Sequence, residues 1–311
     1  MSYNKAIKPA LISYDLMKTS RRNFIRVTAF AGTGLMLKSC NAVRLTSEAG
    51  KFLERIGIST GIANNGILAA AGYSFVEENV RGFLVPAEAD SAFEQKLALL
   101  KVSKLPVEAC NSFLPGNLKC VGPAPLHEDI LKFGETAFRR AQMAGIKTIV
   151  FGSGGARAIP EGFSREEAKQ QFISICKQLA PFAQKYNVVI SLEPLNTKEC
   201  NFINSVAEGG EIVKAVNHEN FRLLADIYHM LMENESPSNI TKYGHLLYHT
   251  HIAEKTGRSA PGVNNDDFTP YFKALKDVKY KGRMAIECSW KNLGEQAAPA
   301  LTAMRTQLAK I

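Results

Sequence analysis

Apolar and polar positions follow two alternating rhythms along this chain. From residue 56 onward, short apolar runs rich in β-branched residues alternate with longer stretches whose apolar positions recur at helical spacing. That alternation predicts successive parallel βα units. The predicted strands cover residues 56–60, 82–86, 107–113, 148–154, 188–195, 221–227, 247–253 and 283–290, with helices over 90–103, 127–145, 164–186 and 266–278 among those between them. Ser164, three residues before Glu167, opens one helix with a capping-box pattern. Gly145 closes another at the usual stop position. Eight strands and their helices over roughly 250 residues fit an α/β fold of the (β/α)8 barrel type. No linker-like stretch divides residues 56–311, so a single domain is expected. A doubly wound open sheet is the other architecture compatible with this pattern.

The first 40 residues follow neither rhythm. Arg21 and Arg22 lie in "SRRNFIR", ahead of the apolar run "VTAFAGTGLML". A basic segment followed by a short apolar core reads as an export signal, too short to span a membrane. The paired arginines make it similar to a twin-arginine signal. Cys40, in "LKSC", stands where a lipoprotein signal carries its acylated cysteine, although Lys38 replaces the usual small or apolar residue. Two outcomes stay open: a membrane-anchored lipoprotein lipidated at Cys40, or cleavage nearby to give a soluble periplasmic form. "MKTSRRNF" reads as a natural start, which makes Met17 the initiator and residues 1–16 extraneous. The expected organisation is an export signal over 1–40, a short lead over 41–55 and a catalytic barrel over 56–311.

Charge changes the picture less than its total suggests. The net charge is +9, but seven Lys/Arg and one Asp fall within the first 40 residues, leaving 31 basic against 28 acidic residues. The body is nearly neutral, and no nucleic-acid partner is expected for it. The six cysteines, Cys40, Cys110, Cys120, Cys176, Cys200 and Cys288, have no metal-type spacing. Most lie in apolar runs, which favours buried thiols packed as small hydrophobes. A Cys110–Cys120 disulfide after export stays open.

Candidate chemistry gathers where a βα barrel places it, at the C-terminal ends of the strands. Predicted strand five carries Glu193, strand six Asp226 with His229 three residues on, strand seven His251 and strand eight Glu287. Singly, each has a plain reading as a solvated loop carboxylate or a hydrogen-bonded core histidine. Jointly, three carboxylates and an imidazole in apolar strands would be costly to bury unpaired, and one divalent cation satisfies all four. A carboxylate-rich set is hard, which favours Mn²⁺ or Mg²⁺, with Co²⁺ and Zn²⁺ left open. His249 shares the face of His251, because strand side chains alternate with period two, and is expected beneath the site or in the core. The glycine-rich "FGSGGAR", residues 151–157, reads either as a tight βα turn or as an anion cradle. Trp290 either stacks on a sugar ring or packs on the barrel rim.

The ordered motifs "LEPLNTKECNFIN", "DIYH", "HTHIAEKTGRSAPG" and "AIECSW" resemble the xylose isomerase-like superfamily of TIM barrels, most closely its ketose 3-epimerase branch, over residues 56–311. The resemblance implies that Glu193, Asp226, His251 and Glu287 ligate one divalent metal ion, and that Glu193 and Glu287 form the acid/base pair. It implies substrate contacts for Glu199 and His229. It also places Arg258 at the family's substrate-contacting arginine, with one extra residue between it and His251. The implied function is a metal-dependent isomerase or epimerase of a keto-sugar or keto-glycoside, drawing a proton from the carbon alpha to a carbonyl. A lyase or dehydratase using the same enediolate, and an exported sugar-binding barrel without turnover, are the alternatives. An apurinic endonuclease is disfavoured by the near-neutral body and by the lack of histidines on the first three strands. Homo-oligomerisation stays open.

Overall fold

The structure, a computed structural model, describes residues 47–311. The expected export signal over 1–40, the Met17 start and acylation at Cys40 lie outside the described residues. Eight strands follow a leading helix, Ser47–Leu53: β1 Ile56–Ser59, β2 Phe75–Asn79, β3 Val107–Asn111, β4 Thr148–Phe151, β5 Val189–Leu192, β6 Phe221–Asp226, β7 Leu247–Ile252 and β8 Arg283–Ile286. Each pairs in parallel with the next, and β8 closes onto β1 through the register Ile56 to Met284 and Ile58 to Ile286. The sheet is therefore a closed (β/α)8 barrel and not an open doubly wound sheet.

Seven expected strands begin within one residue of the observed ones and end one to four residues late. Left-handed backbone at Ser112 and Ser153, with φ of 53° and 41°, helps to end β3 and β4 early. The second strand is a correction. The segment expected as strand at 82–86 is overlapped by a π-helical turn, Val80–Leu84, and Val85 takes a φ of 42° that no strand residue adopts. Its apolar side chains, Phe83 and Leu84, are buried all the same. The buried Arg140 donates to the Leu84 carbonyl at 2.9 Å and also to that of Val85. The true β2 carries adjacent glutamates, Glu77 and Glu78, which resemble a solvated edge, yet Glu77 points into the barrel.

Local signals account for the helix ends. The Ser164 hydroxyl accepts the Glu167 amide at 3.3 Å, and Gly145 ends the helix His127–Ala144 with φ of 77°. Inside the barrel, an aromatic and polar column rises from its N-terminal end. Arg283, paired with Glu108 at 2.6 Å, lies over the Phe75 ring, and Phe75 meets His249 edge-on at 6.3 Å. Gly57 makes this possible, because a Cβ there would sit 2.6 Å from the Phe75 ring. Cys110, Cys120, Cys176 and Cys200 are buried free thiols and Cys288 is half-buried, as the apolar reading requires. Burial pushes the Cys120 thiol up to about 12. Among the described residues, no helix is long and apolar enough to cross a membrane.

A candidate metal centre at the C-terminal mouth of the barrel

Glu193 directly follows β5, Asp226 ends β6, His251 is the fifth residue of β7 and Glu287 directly follows β8. The fold brings one ligand atom from each within 4.8 Å of all the others. His251 Nδ1 lies 2.9 Å from Glu193 Oε1 and 3.2 Å from Glu287 Oε2, so the imidazole stands between the two glutamates. Asp226 Oδ1 accepts the Tyr228 amide at 2.7 Å and caps the short helix Ile227–Met232. Its Oδ2 is buried without a hydrogen-bond partner. Glu193, Asp226 and His251 are buried, while the Glu287 side chain keeps 23% of its exposure and forms the open side of the cluster.

Electrostatics set these groups apart. Burial raises the Glu193 carboxyl, with His251 opposing and Glu287 and Asp226 adding to the rise. Burial likewise takes Asp226 up to about 6, against the pull of Arg258 and His251. Burial also acts upward on Glu287, but the charge and hydrogen bond of His251, with Arg258, outweigh it and hold that carboxyl well below the usual range. Burial disfavours charge on His251, yet Glu77, Glu287 and Glu193 surround it and push it well above an ordinary histidine. Three crowded carboxylates and an unpartnered carboxylate oxygen fit a divalent cation, which would relieve their repulsion and the unmet desolvation together. Glu193, Asp226, His251 and Glu287 are the residues that would hold it.

The remaining expected residues gather unevenly around this cluster. Arg258 is brought in despite the extra residue: with φ of 47°, it donates to Glu287 Oε2 at 2.5 Å and to the Glu287 carbonyl at 3.1 Å. Its guanidinium stacks 4.6 Å from the Tyr228 ring centroid and reaches Glu199 at 3.4 Å. Three backbone amides, of Gly262, Asn264 and Asn265, fasten the buried Glu254 carboxylate and so shape the loop bearing Arg258. His229 Nδ1 accepts the Asn196 amide at 3.2 Å, which leaves Nε2 as the protonated nitrogen, 3.5 Å from Asp226 Oδ2. Glu199 is exposed and linked to the site through Asn196, which donates to it at 3.0 Å. Trp290 is half-buried against the apolar core, with its indole nitrogen buried and without a hydrogen-bond partner.

The glycine-rich segment is a short helical turn, Gly154–Arg157, and its glycines serve close packing. A Cβ on Gly152 would fall 2.3 Å from Glu193 Oε2, and one on Gly154 would fall 2.9 Å from the Glu199 carbonyl. Sequence reasoning missed Glu77, which contacts both His249 and His251, and Asn111, which donates to Glu287 Oε1 at 2.7 Å and to Ser59 at 2.9 Å. The available signal was Gly72, a helix stop with φ of 92°, followed three residues on by the apolar start of β2 at Phe75. A cavity of about 450 Å³ lined by Phe52, Arg55, Phe272, Lys279 and Tyr280 lies at the opposite end of the barrel, away from the ligand cluster.

Residues 66–309 match the family described as Xylose isomerase-like TIM barrel. The chain is 30% identical over 148 residues to an L-ribulose 3-epimerase of Methylomonas sp., covering 42% of this chain and 51% of that protein. It is 31% identical over 119 residues to a D-psicose 3-epimerase of Ruminiclostridium cellulolyticum, covering 38% and 40% respectively. The chain thus spans about half the length, or less, of these curated relatives. In fold, it resembles the crystal structure of 3-keto-D-glucoside 4-epimerase from E. coli, with a TM-score of 0.69 at 20% identity over 81% of this chain and 99% of that one.

Proposed function

The chain belongs to the xylose isomerase-like TIM barrel family, and from that premise we propose that it is a divalent-metal-dependent sugar isomerase or epimerase. The observation that carries this reading is the placement of His251 Nδ1 between two glutamates, 2.9 Å from Glu193 and 3.2 Å from Glu287, with Asp226 alongside. A carbon-bound proton alpha to a carbonyl is too weakly acidic for a carboxylate to remove unaided. Glu193, Asp226, His251 and Glu287 would hold a divalent cation, whose positive charge would stabilise the negative charge that builds on the enediolate oxygens.

The chain's own groups do the rest. One glutamate of the pair Glu193 and Glu287 takes the proton from one face of the substrate carbon. The other delivers a proton to the opposite face, which inverts the carbon. Delivery to the neighbouring carbon would instead interconvert ketose and aldose. Burial raises Glu193, while the charge and hydrogen bond of His251, with Arg258, lower Glu287, so the two carboxyls hold protons unequally, as an acid/base pair requires. Arg258, Glu199 and His229 line the approach and offer hydrogen bonds to hydroxyl groups. An L-ribulose 3-epimerase and a D-psicose 3-epimerase among the relatives, and a 3-keto-D-glucoside 4-epimerase among the structural neighbours, support a keto-sugar or keto-glycoside as substrate. The export expected from residues 1–40 favours an unphosphorylated one, met in the periplasm.

Turnover tests this directly. The protein is loaded with Mn²⁺, Mg²⁺, Co²⁺ or Zn²⁺ and offered ketoses and keto-glycosides, and products are separated chromatographically. An epimer or an aldose–ketose isomer is expected. A dehydrated product would move the reading to a lyase, and saturable sugar binding without product would move it to a binding protein.

A further inference from the structure

Glu77 lies in the middle of β2, fully buried inside the barrel, with no lysine or arginine against it. Its two oxygens meet two imidazoles: Oε2 is 2.7 Å from His249 Nε2 and Oε1 is 2.9 Å from His251 Nε2. The opposite nitrogen of His251, Nδ1, is the one that faces Glu193 and Glu287. The two histidine rings stand 5.1 Å apart at 85°, so each presents its Nε2 edge to the same carboxylate. Phe75 packs edge-on against His249 from below. Glu77, His249 and His251 are themselves close enough to share a cation, but they offer one carboxylate against the three of the cluster at the mouth.

We propose that Glu77 is a positioning residue for the metal centre: its Oε1, 2.9 Å from His251 Nε2, keeps the ring proton on that nitrogen by its charge and thereby commits Nδ1 to the ligand cluster, while His249 hydrogen-bonds its other oxygen. The inference rests on the metal-dependent reading above. An imidazole can carry its proton on either nitrogen, and the partner of one nitrogen decides which is free to bind a metal. Carboxylates behind ligating histidines commonly orient them, and removing such a partner weakens metal binding about 10–100-fold. Here the carboxylate is itself braced. His249 hydrogen-bonds Oε2, while Oε1 and His251 Nε2, 2.9 Å apart, are buried with no other partner, so each is the group available to meet the other. An amide offers one acceptor and one donor. Glu77→Gln therefore keeps volume and shape but forces one imidazole to lose its acceptor or to change tautomer.

The test uses the full chain, stripped of metal and titrated with Mn²⁺ by calorimetry, as wild type and as Glu77→Gln. Circular dichroism and a thermal melt establish that the variant is folded. A second measurement reads the tautomer, by ¹⁵N NMR of histidine-labelled protein loaded with diamagnetic Zn²⁺. The expected result is one Mn²⁺ bound by the wild type, binding weakened about 10-fold or more in Glu77→Gln, and a wild-type His251 with metal on Nδ1 and a proton on Nε2. A folded Glu77→Gln that binds Mn²⁺ as tightly as wild type, with the same His251 signals, overturns the inference and leaves the metal-dependent reading standing. Wild-type protein that binds no divalent cation overturns that reading and this inference together.

Discussion

A Cβ placed on Gly152 would stand 2.3 Å from Glu193 Oε2, so the glycine after β4 and the carboxylate after β5 share a space that admits no methyl group. Gly152→Ala is predicted to displace the Glu193 carboxylate without unfolding the barrel. Misplacement of a reacting group by about 1 Å can cost roughly 10²-fold in rate, and kcat should fall by that order while the melting curve shifts little. An unchanged kcat in Gly152→Ala would separate Glu193 from the chemistry.

The two glutamates should be separately indispensable. On the proposed mechanism, Glu193→Gln and Glu287→Gln each remove a group that gives or takes a proton, and kcat is predicted to fall about 10²–10⁴-fold in either. Asn111, which donates to Glu287 Oε1 at 2.7 Å, should show a smaller effect of the same kind. Hydrogen bonds to charged groups contribute about 1.5–3 kcal/mol, so Asn111→Ala should lower kcat/KM about 10-fold or more. Equal kcat/KM in Asn111→Ala and wild type would mean that Glu287 is held well enough by Arg258 alone.

Arg258 presents a fork that lysine cannot reproduce. It donates through Nη2 and Nε to the side chain and carbonyl of Glu287 and lies 4.6 Å from the Tyr228 ring centroid. Arg258→Lys should raise KM about 10-fold or more, by the same scale for charged hydrogen bonds, and steady-state kinetics on the substrate found by the turnover screen will read it. A KM that does not move would place Arg258 in a purely structural role.

Metal uptake should depend on pH with a definite sign. Burial raises Asp226 from 3.8 to about 6 in the metal-free protein, although Arg258 and His251 pull the other way. A carboxyl whose folded value is raised binds its proton more tightly when folded. Its stabilising effect is present below the unfolded value and is lost as pH rises through about 6. A cation binds the deprotonated cluster and compensates above that point. The melting-temperature increase given by a fixed Mn²⁺ concentration should therefore be small near pH 5 and larger near pH 7.5. An increase that is the same at both pH values would contradict the shared use of Asp226 by proton and metal.

Most of this fold was legible because a closed parallel barrel writes itself as buried strands and capped helices. Ser164 and Gly145 mark their helix ends by local hydrogen bonding and left-handed backbone, both of which are properties of the residues themselves. The cluster of Glu193, Asp226, His251 and Glu287 was legible for a related reason: they are polar exceptions at the ends of apolar strands. The second strand was hidden because its inward residue, Glu77, gains its reason for burial only from His249 and His251, 172 residues or more away in the chain. Asn111 was hidden in the same way, since its partner Glu287 lies 176 residues on. The apolar segment near residue 83 drew the strand assignment because burial under a helix and burial in a sheet look alike over five residues. The room at Gly152 for the Glu193 carboxylate is a tertiary contact with no local pattern.

Exchange of carbon-bound hydrogen with solvent tests the proposed chemistry most directly. The Mn²⁺-loaded protein is incubated in D₂O with ketoses and keto-glycosides, and NMR follows deuterium entering the carbon alpha to the carbonyl. Metal-dependent incorporation that disappears in Glu193→Gln is predicted. Absence of deuterium from every sugar recovered, while Mn²⁺ is bound, would contradict proton abstraction by this site.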